Sequence, residues 1–274
     1  MKIDAHQHFW KYNPTKHDWI NEDMKVIRKN FLPDDLIPIL KEFEIDGCVA
    51  VQADESFYET AFLIDLADEY PEIKAVVGWA DLANDALDKD LDQFAKHTKL
   101  KGYREVLQSK PVEYMLRKDF IRGIEKIGKR GYTYDILIFH TQLEAALQFV
   151  KKAPEQPFVI DHIAKPNIKL GIWRDWKKEM APLAEREYIY CKLSGMVTEA
   201  DWKKWTAKDF QVYLEVALEL FGPNRLMFGS DWPVCKVAAE YEQVLELVEK
   251  FTDRLSKSEK EAIMGNTAIE FYGI

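Results

Sequence analysis

Eight short runs rich in Val, Ile, Tyr and Phe alternate with helical patterns from one end of the chain to the other, and this alternation limits the fold more than any other feature. The runs lie near residues 2–8, 46–52, 73–79, 99–104, 132–139, 157–162, 188–193 and 225–230. Several are apolar almost throughout, as in Ile73-Lys74-Ala75-Val76-Val77-Gly78, which suits strands covered on both faces of a parallel sheet. Helical patterns near 33–44, 56–70, 86–97, 115–130, 142–152, 173–186, 206–221 and 237–252 separate them. In 206–221, Phe210, Tyr213, Leu214, Ala217, Leu218 and Phe221 form one apolar stripe, and Gly222-Pro223 ends it. Ser56 with Glu59 is a capping-box pattern that starts another helix. Eight strand–helix units fit a (β/α)8 barrel, whereas a doubly wound sheet has fewer strands and a Gly-rich phosphate turn after the first. A second capping box, Ser256 and Glu259, predicts an additional C-terminal helix. With no linker or low-complexity tract, the reading is a single barrel domain over residues 1–274.

Composition narrows the function classes. At 47% hydrophobic and 31% charged residues the chain is globular, and its net charge of −9 argues against a nucleic-acid partner, whose phosphates select clustered Lys and Arg. No apolar stretch approaches the roughly 20 residues that span a bilayer. Met1 is followed at once by Lys2-Ile3-Asp4-Ala5-His6, which is no signal region. Cys48, Cys191 and Cys235 are dispersed in apolar segments and imply no disulfide framework. The expectation is a cytoplasmic protein with no membrane partner. Nothing in the sequence selects an oligomeric state, and a homodimer is compatible with it.

Ionisable residues gather at the C-terminal ends of the strand candidates, the face where barrel enzymes place their chemistry. Asp4-Ala5-His6-Gln7-His8 opens the chain; two-residue spacing on a strand would send Asp4, His6 and His8 to one face. His140 ends the fifth run, His162 the sixth, and Asp231 follows the eighth. Four of the six histidines therefore occupy strand ends, whereas His17 and His97 do not. Arg104 ends the fourth run and could grip a substrate oxygen or carboxylate. Lys192 and Ser194-Gly195 are weaker candidates. Trp10, Trp19, Trp79 and Trp232 lie by strand ends or in the long connection 9–32, where rings can wall a pocket.

Asp4-Ala5-His6-Gln7-His8-Phe9-Trp10, Asp161-His162 with Lys165-Pro166, Tyr190-Cys191-Lys192-Leu193-Ser194-Gly195, and Arg225-Leu226-Met227-Phe228-Gly229-Ser230-Asp231-Trp232-Pro233 together resemble the branch of the amidohydrolase superfamily that contains sugar lactonases. The likeness covers essentially the whole chain. It implies a distorted (β/α)8 barrel that hydrolyses a cyclic ester. By resemblance, Asp231 is the aspartate that activates water, and His6, His8 and His162 surround the reacting carbonyl. Arg104, Trp19, Trp79, His140 and Trp232 are the candidate substrate contacts. If a divalent ion is bound, at most one zinc, His6, His8 and Asp231 would be its ligands; the branch also contains members that work without metal. The chain departs from the family pattern at Glu105, where a histidine is common, and at His140, where a proline is common.

The leading expectation is opening of an aldonolactone, with a small-molecule sugar lactone as the partner. A second is a zinc-dependent decarboxylase or carbon–carbon hydrolase with His6, His8, His140 and Asp231 around the ion. A third is a barrel that binds a sugar acid or lactone without turning it over. No Gly-x-Ser-x-Gly turn supports a covalent serine route.

Overall fold

A computed structural model describes all residues, Met1–Ile274. Eight parallel strands run in chain order around one sheet: β1 (Ile3–Gln7), β2 (Gly47–Val51), β3 (Ile73–Gly78), β4 (Leu100–Glu105), β5 (Thr133–Ile136), β6 (Phe158–Ile160), β7 (Ile189–Leu193) and β8 (Leu226–Phe228). The circle closes just beyond β8. There the Asp231 N–H donates to the His6 carbonyl at 2.8 Å, and the His8 N–H donates to the Trp232 carbonyl at 2.7 Å. The molecule is thus the (β/α)8 barrel that the alternation predicts.

Strand composition decides what lies inside the barrel. Ile3, Ala5, Val49, Val51, Ala75, Val77, Val159 and Met227 pack together as one small apolar cluster inside it. Inward positions of β4 to β7 instead carry Arg104, Asp135 and Lys192, with Asp161 directly after β6. The opposite strand faces belong to a larger core shared with the helices.

Those helices are α1 (Pro33–Glu42), α2 (Phe57–Glu69), α3 (Leu87–Phe94), α4 (Lys118–Lys129), α5 (Leu143–Lys152), α6 (Arg174–Ala184), α7 (Ala207–Phe221) and α8 (Tyr241–Thr252). Ser56 caps α2 by accepting from the Glu59 N–H, but the Glu59 carboxylate turns to the Ala53 N–H, so only half of the expected box forms. The C-terminal segment is more than one helix. Ser256 caps α9 (Lys257–Glu261), a π-helical turn follows (Ala262–Asn266), and α10 (Thr267–Tyr272) ends the array. Ala268, Phe271 and Tyr272 of α10 join the apolar cluster inside the barrel and plug it.

Expected boundaries move where the chain leaves the barrel to build the mouth. β5 stops at Ile136, because the Leu137 carbonyl turns aside to accept from the Gln108 N–H. The expected strand 225–230 shortens to three residues, since the Ser230 N–H donates to the Asp4 side chain of β1 and not to a backbone carbonyl. Helix α8 starts at Tyr241, later than the periodicity suggests, behind a separate 3-10 turn at Val234–Val237. The connection 9–32 folds back on itself through paired backbone bonds between Trp10 and Phe31, both 2.9 Å. No helix is long and apolar enough to cross a membrane.

Glu44, exposed just after α1, has φ +55°, a left-handed conformation that costs an L-residue about 1–2 kcal/mol. Glu44→Gly is therefore expected to stabilise the protein by about 1 kcal/mol, seen as a rise of about 2–4 °C in the unfolding midpoint. Glu44→Val should shift the midpoint downward in the same scan.

Candidate functional site

Two histidines reach the barrel interior because β1 is irregular. Ile3 and Asp4 pair with Gly47 and Cys48, but Gln7 pairs with Ala50, so one extra residue is inserted into β1. Ile3 and Ala5 face inward below this bulge, and His6 and His8 face inward above it. Simple alternation predicted that Asp4 would join the two imidazoles. The bulge overturns that expectation: Asp4 accepts from the Ser230 N–H at 2.9 Å and the His6 N–H at 3.2 Å, on the far side of the strand. Burial lifts its carboxyl to about 6.

Asp231 sits at the centre of the imidazoles, held by closure of the barrel in a backbone conformation with φ +58°. Its Oδ1 lies 3.4 Å from His8 Nε2, 3.9 Å from His6 Nε2 and 3.9 Å from His162 Nε2. His8 Nδ1 donates to the Val51 carbonyl at 2.7 Å, which leaves the Nε2 lone pair facing the group. His162 Nδ1 meets the Ser194 hydroxyl at 2.8 Å. Burial depresses all three imidazoles, His6 and His162 well below the ordinary 6.5, so they are neutral. Burial pushes Asp231 upward, but the surrounding polar groups and the Lys165 ammonium outweigh this and leave it below the ordinary 3.8. The site therefore holds one ionised carboxylate among three neutral imidazoles.

A buried charged layer supports this group from below. Arg104 Nη1 donates to Asp161 Oδ2 at 3.1 Å and lies 3.3 Å from His6 Nε2. Its Nη2 donates to the Gln52 carbonyl, and Gln52 Nε2 returns a bond to the Arg104 carbonyl at 3.2 Å. Arg104 thus spends its donors on the protein interior, a different use from the grip on a substrate oxygen or carboxylate that the sequence suggested. Lys192 Nζ bonds His6 Nδ1 at 3.1 Å and Asp135 Oδ2 at 2.5 Å, and pairs with Asp161 Oδ1 at 3.0 Å. The Tyr272 hydroxyl, from α10, donates to Asp135 Oδ2 at 2.9 Å. Burial raises Asp161, yet Lys192 and Arg104 together bring it well below the carboxylate range. The sequence reading missed Asp135 and Asp161; the available signal was a lone carboxylate in an apolar strand, Tyr134-Asp135-Ile136, at an inward position.

The rim adds a second polar group that the sequence reading only partly foresaw. His162, Ile163, Ala164 and Lys165 all have positive φ, from +48° to +59°, forming a left-handed turn after β6. That turn presents the Lys165 carbonyl to His140 Nδ1 at 2.8 Å. Burial raises the Glu199 carboxyl, and Lys165 lowers it in part. His140 is absent from the donor groups that come together around Asp231, so the four-ligand set His6, His8, His140 and Asp231 does not form.

The tryptophans divide. Trp232 is 2% exposed and fixed edge-on against Phe31 and Phe9, so its ring is used in packing. Trp19 is 39% exposed and meets Trp10 edge-on at 5.9 Å. The Trp79 indole donates to Glu105 at 3.2 Å, and both line a hollow of about 380 Å³ with Asp81, Lys110, Tyr114 and Arg117. Glu105 points away from the imidazoles, paired with Lys110 at 2.7 Å, and burial lifts it to about 7. A larger groove of about 690 Å³ lies between α7 and α8, outside the barrel.

The residues fit a metal ion. Donors on a tetrahedral zinc with bonds of about 2.0–2.2 Å lie about 3.4 Å apart. His6 Nε2, His8 Nε2 and Asp231 Oδ1 are separated by 3.2, 3.4 and 3.9 Å. His8 already presents the required lone pair.

The family profile described as Amidohydrolase matches residues 3–274. The chain belongs to this family. The chain is 38% identical to an L-fucono-1,5-lactonase of Burkholderia multivorans, over 100% of this chain and 96% of that protein. It is 32% identical to an L-fucono-1,5-lactonase of Burkholderia ambifaria, again over 100% and 96%. An amidohydrolase crystal structure from Burkholderia multivorans with bound zinc superposes with a TM-score of 0.97 at 38% identity, covering 100% of this chain and 99% of that one.

Gly195 lies against His162 in this amidohydrolase. A Cβ there would come within 2.5 Å of His162 Nδ1, and its φ of +61° already disfavours a side chain. Gly195→Ala is expected to displace His162 from Ser194, lowering stability by about 1–3 kcal/mol and abolishing most activity. Chemical denaturation and turnover assays on one preparation check both.

Proposed function

We propose that this amidohydrolase opens a sugar-derived (aldono-) lactone to the corresponding acid, with Asp231 as the base that activates water. The observation that carries the reading is the ionised Asp231 carboxylate with Oδ1 within 3.9 Å of three neutral imidazoles. The names of the relatives at 38% and 32% identity support a lactone as the substrate class.

Ester hydrolysis needs a base for water, stabilisation of the carbonyl oxyanion and a proton for the leaving alkoxide. An ionised Asp231 accepts the water proton as the nucleophile attacks, a contribution of about 10²–10⁴ in rate. His6 and His162 flank the carboxylate and donate to the developing oxyanion. The ring C–O bond then breaks, and protonated Asp231 returns its proton to the alkoxide. His8 Nε2 presents its lone pair beside the carboxylate, 3.4 Å from Asp231 Oδ1. Lys165, Glu199 and His140 supply the polar contacts for the hydroxyls of the sugar, with Trp79 and Trp19 further out. Where a zinc ion is present, His6, His8 and Asp231 would hold it, and it would polarise the ester carbonyl. The separation of His140 from the other donors weighs against the four-ligand decarboxylase arrangement.

A pH-indicator screen of aldono-1,4- and 1,5-lactones should find substrates, each ring opening releasing one proton near neutral pH. Saturable binding of lactones with no turnover across that panel would instead support a barrel that only binds. With a lactone substrate in hand, Asp231→Asn should lower kcat by about 10²-fold or more with the fold intact by circular dichroism.

The pH profile is a separate test. Asp231 lies below 3.8 and the histidines below 6.5, so protonating the imidazoles does not intervene near neutrality. The kcat/KM profile is expected to stay flat as pH falls through 6.5 and to decline only in more acid solution. An acid limb centred at 6.5 would instead assign the base role to an unperturbed histidine.

A further inference from the structure

The histidine deepest in the barrel has a donor on one side and a lone pair on the other. Lys192 Nζ stands 3.1 Å from His6 Nδ1, and an ammonium can only donate. On the opposite edge, His6 Nε2 stands 3.2 Å from His8 Nε2. That His8 nitrogen carries a lone pair, because the His8 hydrogen is on Nδ1 and bonded to the Val51 carbonyl at 2.7 Å. Two independent partners therefore ask the same thing of one neutral imidazole: accept at Nδ1 and donate at Nε2.

We infer that Lys192 is a positioning residue that holds His6 in its Nε2–H form, making it a donor toward the reacting centre and a poor metal ligand. Two contacts compete, each at 3.3 Å, against 3.1 and 3.2 Å for the partners above. Asp161 Oδ1 lies 3.3 Å from His6 Nδ1 but lacks hydrogen-bond alignment and is paired with the Lys192 ammonium at 3.0 Å. Arg104 Nη1, whose first N–H donates to Asp161 Oδ2 at 3.1 Å, brings its second to 3.3 Å from His6 Nε2, slightly farther than the His8 nitrogen. Lys192 in turn is fixed by Asp135, and Asp135 by the Tyr272 hydroxyl at 2.9 Å. A line of buried hydrogen bonds thus runs from α10 to the catalytic group.

The arrangement has a consequence for metal. Zinc needs lone pairs on both His6 Nε2 and His8 Nε2. His8 is ready, whereas His6 must move its hydrogen to Nδ1, directly against the Lys192 ammonium. Apparent affinity falls by the fraction of protein in the ligating form. Lys192 thus favours the donor function of His6 over metal binding.

The test begins with the unaltered, chelator-treated protein. Its histidine ring nitrogens are observed by ¹⁵N NMR, with His6 assigned by comparison with His6→Gln. The expected result is an N–H-type resonance for Nε2 and a lone-pair-type resonance for Nδ1; the reverse pattern overturns the inference. In K192M/D135N, which removes one buried charge of each sign, the N–H should be found at Nδ1 or shared between the two nitrogens. Zinc affinity, measured by competition with a chromogenic chelator, should rise about tenfold. Unchanged tautomer and zinc affinity in a folded variant would also overturn it. If the double variant fails to fold, the spectrum of the unaltered protein decides alone. The functional role rests on the lactonase reading, for which kcat should fall about ten- to hundredfold with little change in KM. Absence of lactone turnover in the unaltered protein would sink that reading but leave the tautomer result standing.

Discussion

A guanidinium, an ammonium and two carboxylates lie within the barrel with almost no exposure: Arg104, Lys192, Asp135 and Asp161 are each at most 4% accessible. Bringing such groups out of water costs several kcal/mol per ion, recovered only when charges balance and polar atoms find partners. Here two cations meet two anions across β4 to β7, so the polar half of the barrel holds together as a unit. Removing a single member would strand an uncompensated charge, at about 3–5 kcal/mol. The imidazoles above rest on this layer, and their tautomers and orientations follow from it.

Closure of the barrel and assembly of the site are one event. The backbone bonds that join the end of β8 to β1 use the amide of Asp231 and the carbonyl of His6, so the carboxylate and the imidazoles meet because the sheet closes. The β1 bulge then does what regular pleating could not. It lets apolar Ile3 and Ala5 fill the barrel below while His6 and His8 enter the mouth above, and it turns Asp4 outward to pin Ser230. Preorganised groups of this kind need little rearrangement as charge develops on a substrate.

The fold was legible because a near-continuous apolar strand followed by an amphipathic helix, repeated eight times, has few other solutions. Asp231, His6, His8 and His162 were legible as ionisable residues at strand ends, and their convergence follows from topology alone. Asp135, Asp161 and Tyr272 were not, because their meaning depends on which side chain of a strand points inward and on where the C-terminal helix docks. A bulge shifts the first and only tertiary packing decides the second. Trp232 shows the reverse problem. Position near a strand end marked it, yet its ring is locked between phenylalanines. Glu105 departs from the family pattern but faces away from the imidazoles, which explains how the position tolerates a carboxylate.

The hydroxyl of Tyr272 completes a hydrogen-bonded path to His6, so groups from opposite ends of the sequence share one interior. A nascent chain emerging from the ribosome carries its first imidazole long before it has the strand that closes on it or the helix that plugs the barrel beneath. Until those late segments arrive, Lys192 and Asp135 have an incomplete set of partners and the centre has no fixed proton pattern. The protein should therefore gain its competence in a single late step of biosynthesis, and shortening its tail would damage a site lying at the other end of the barrel.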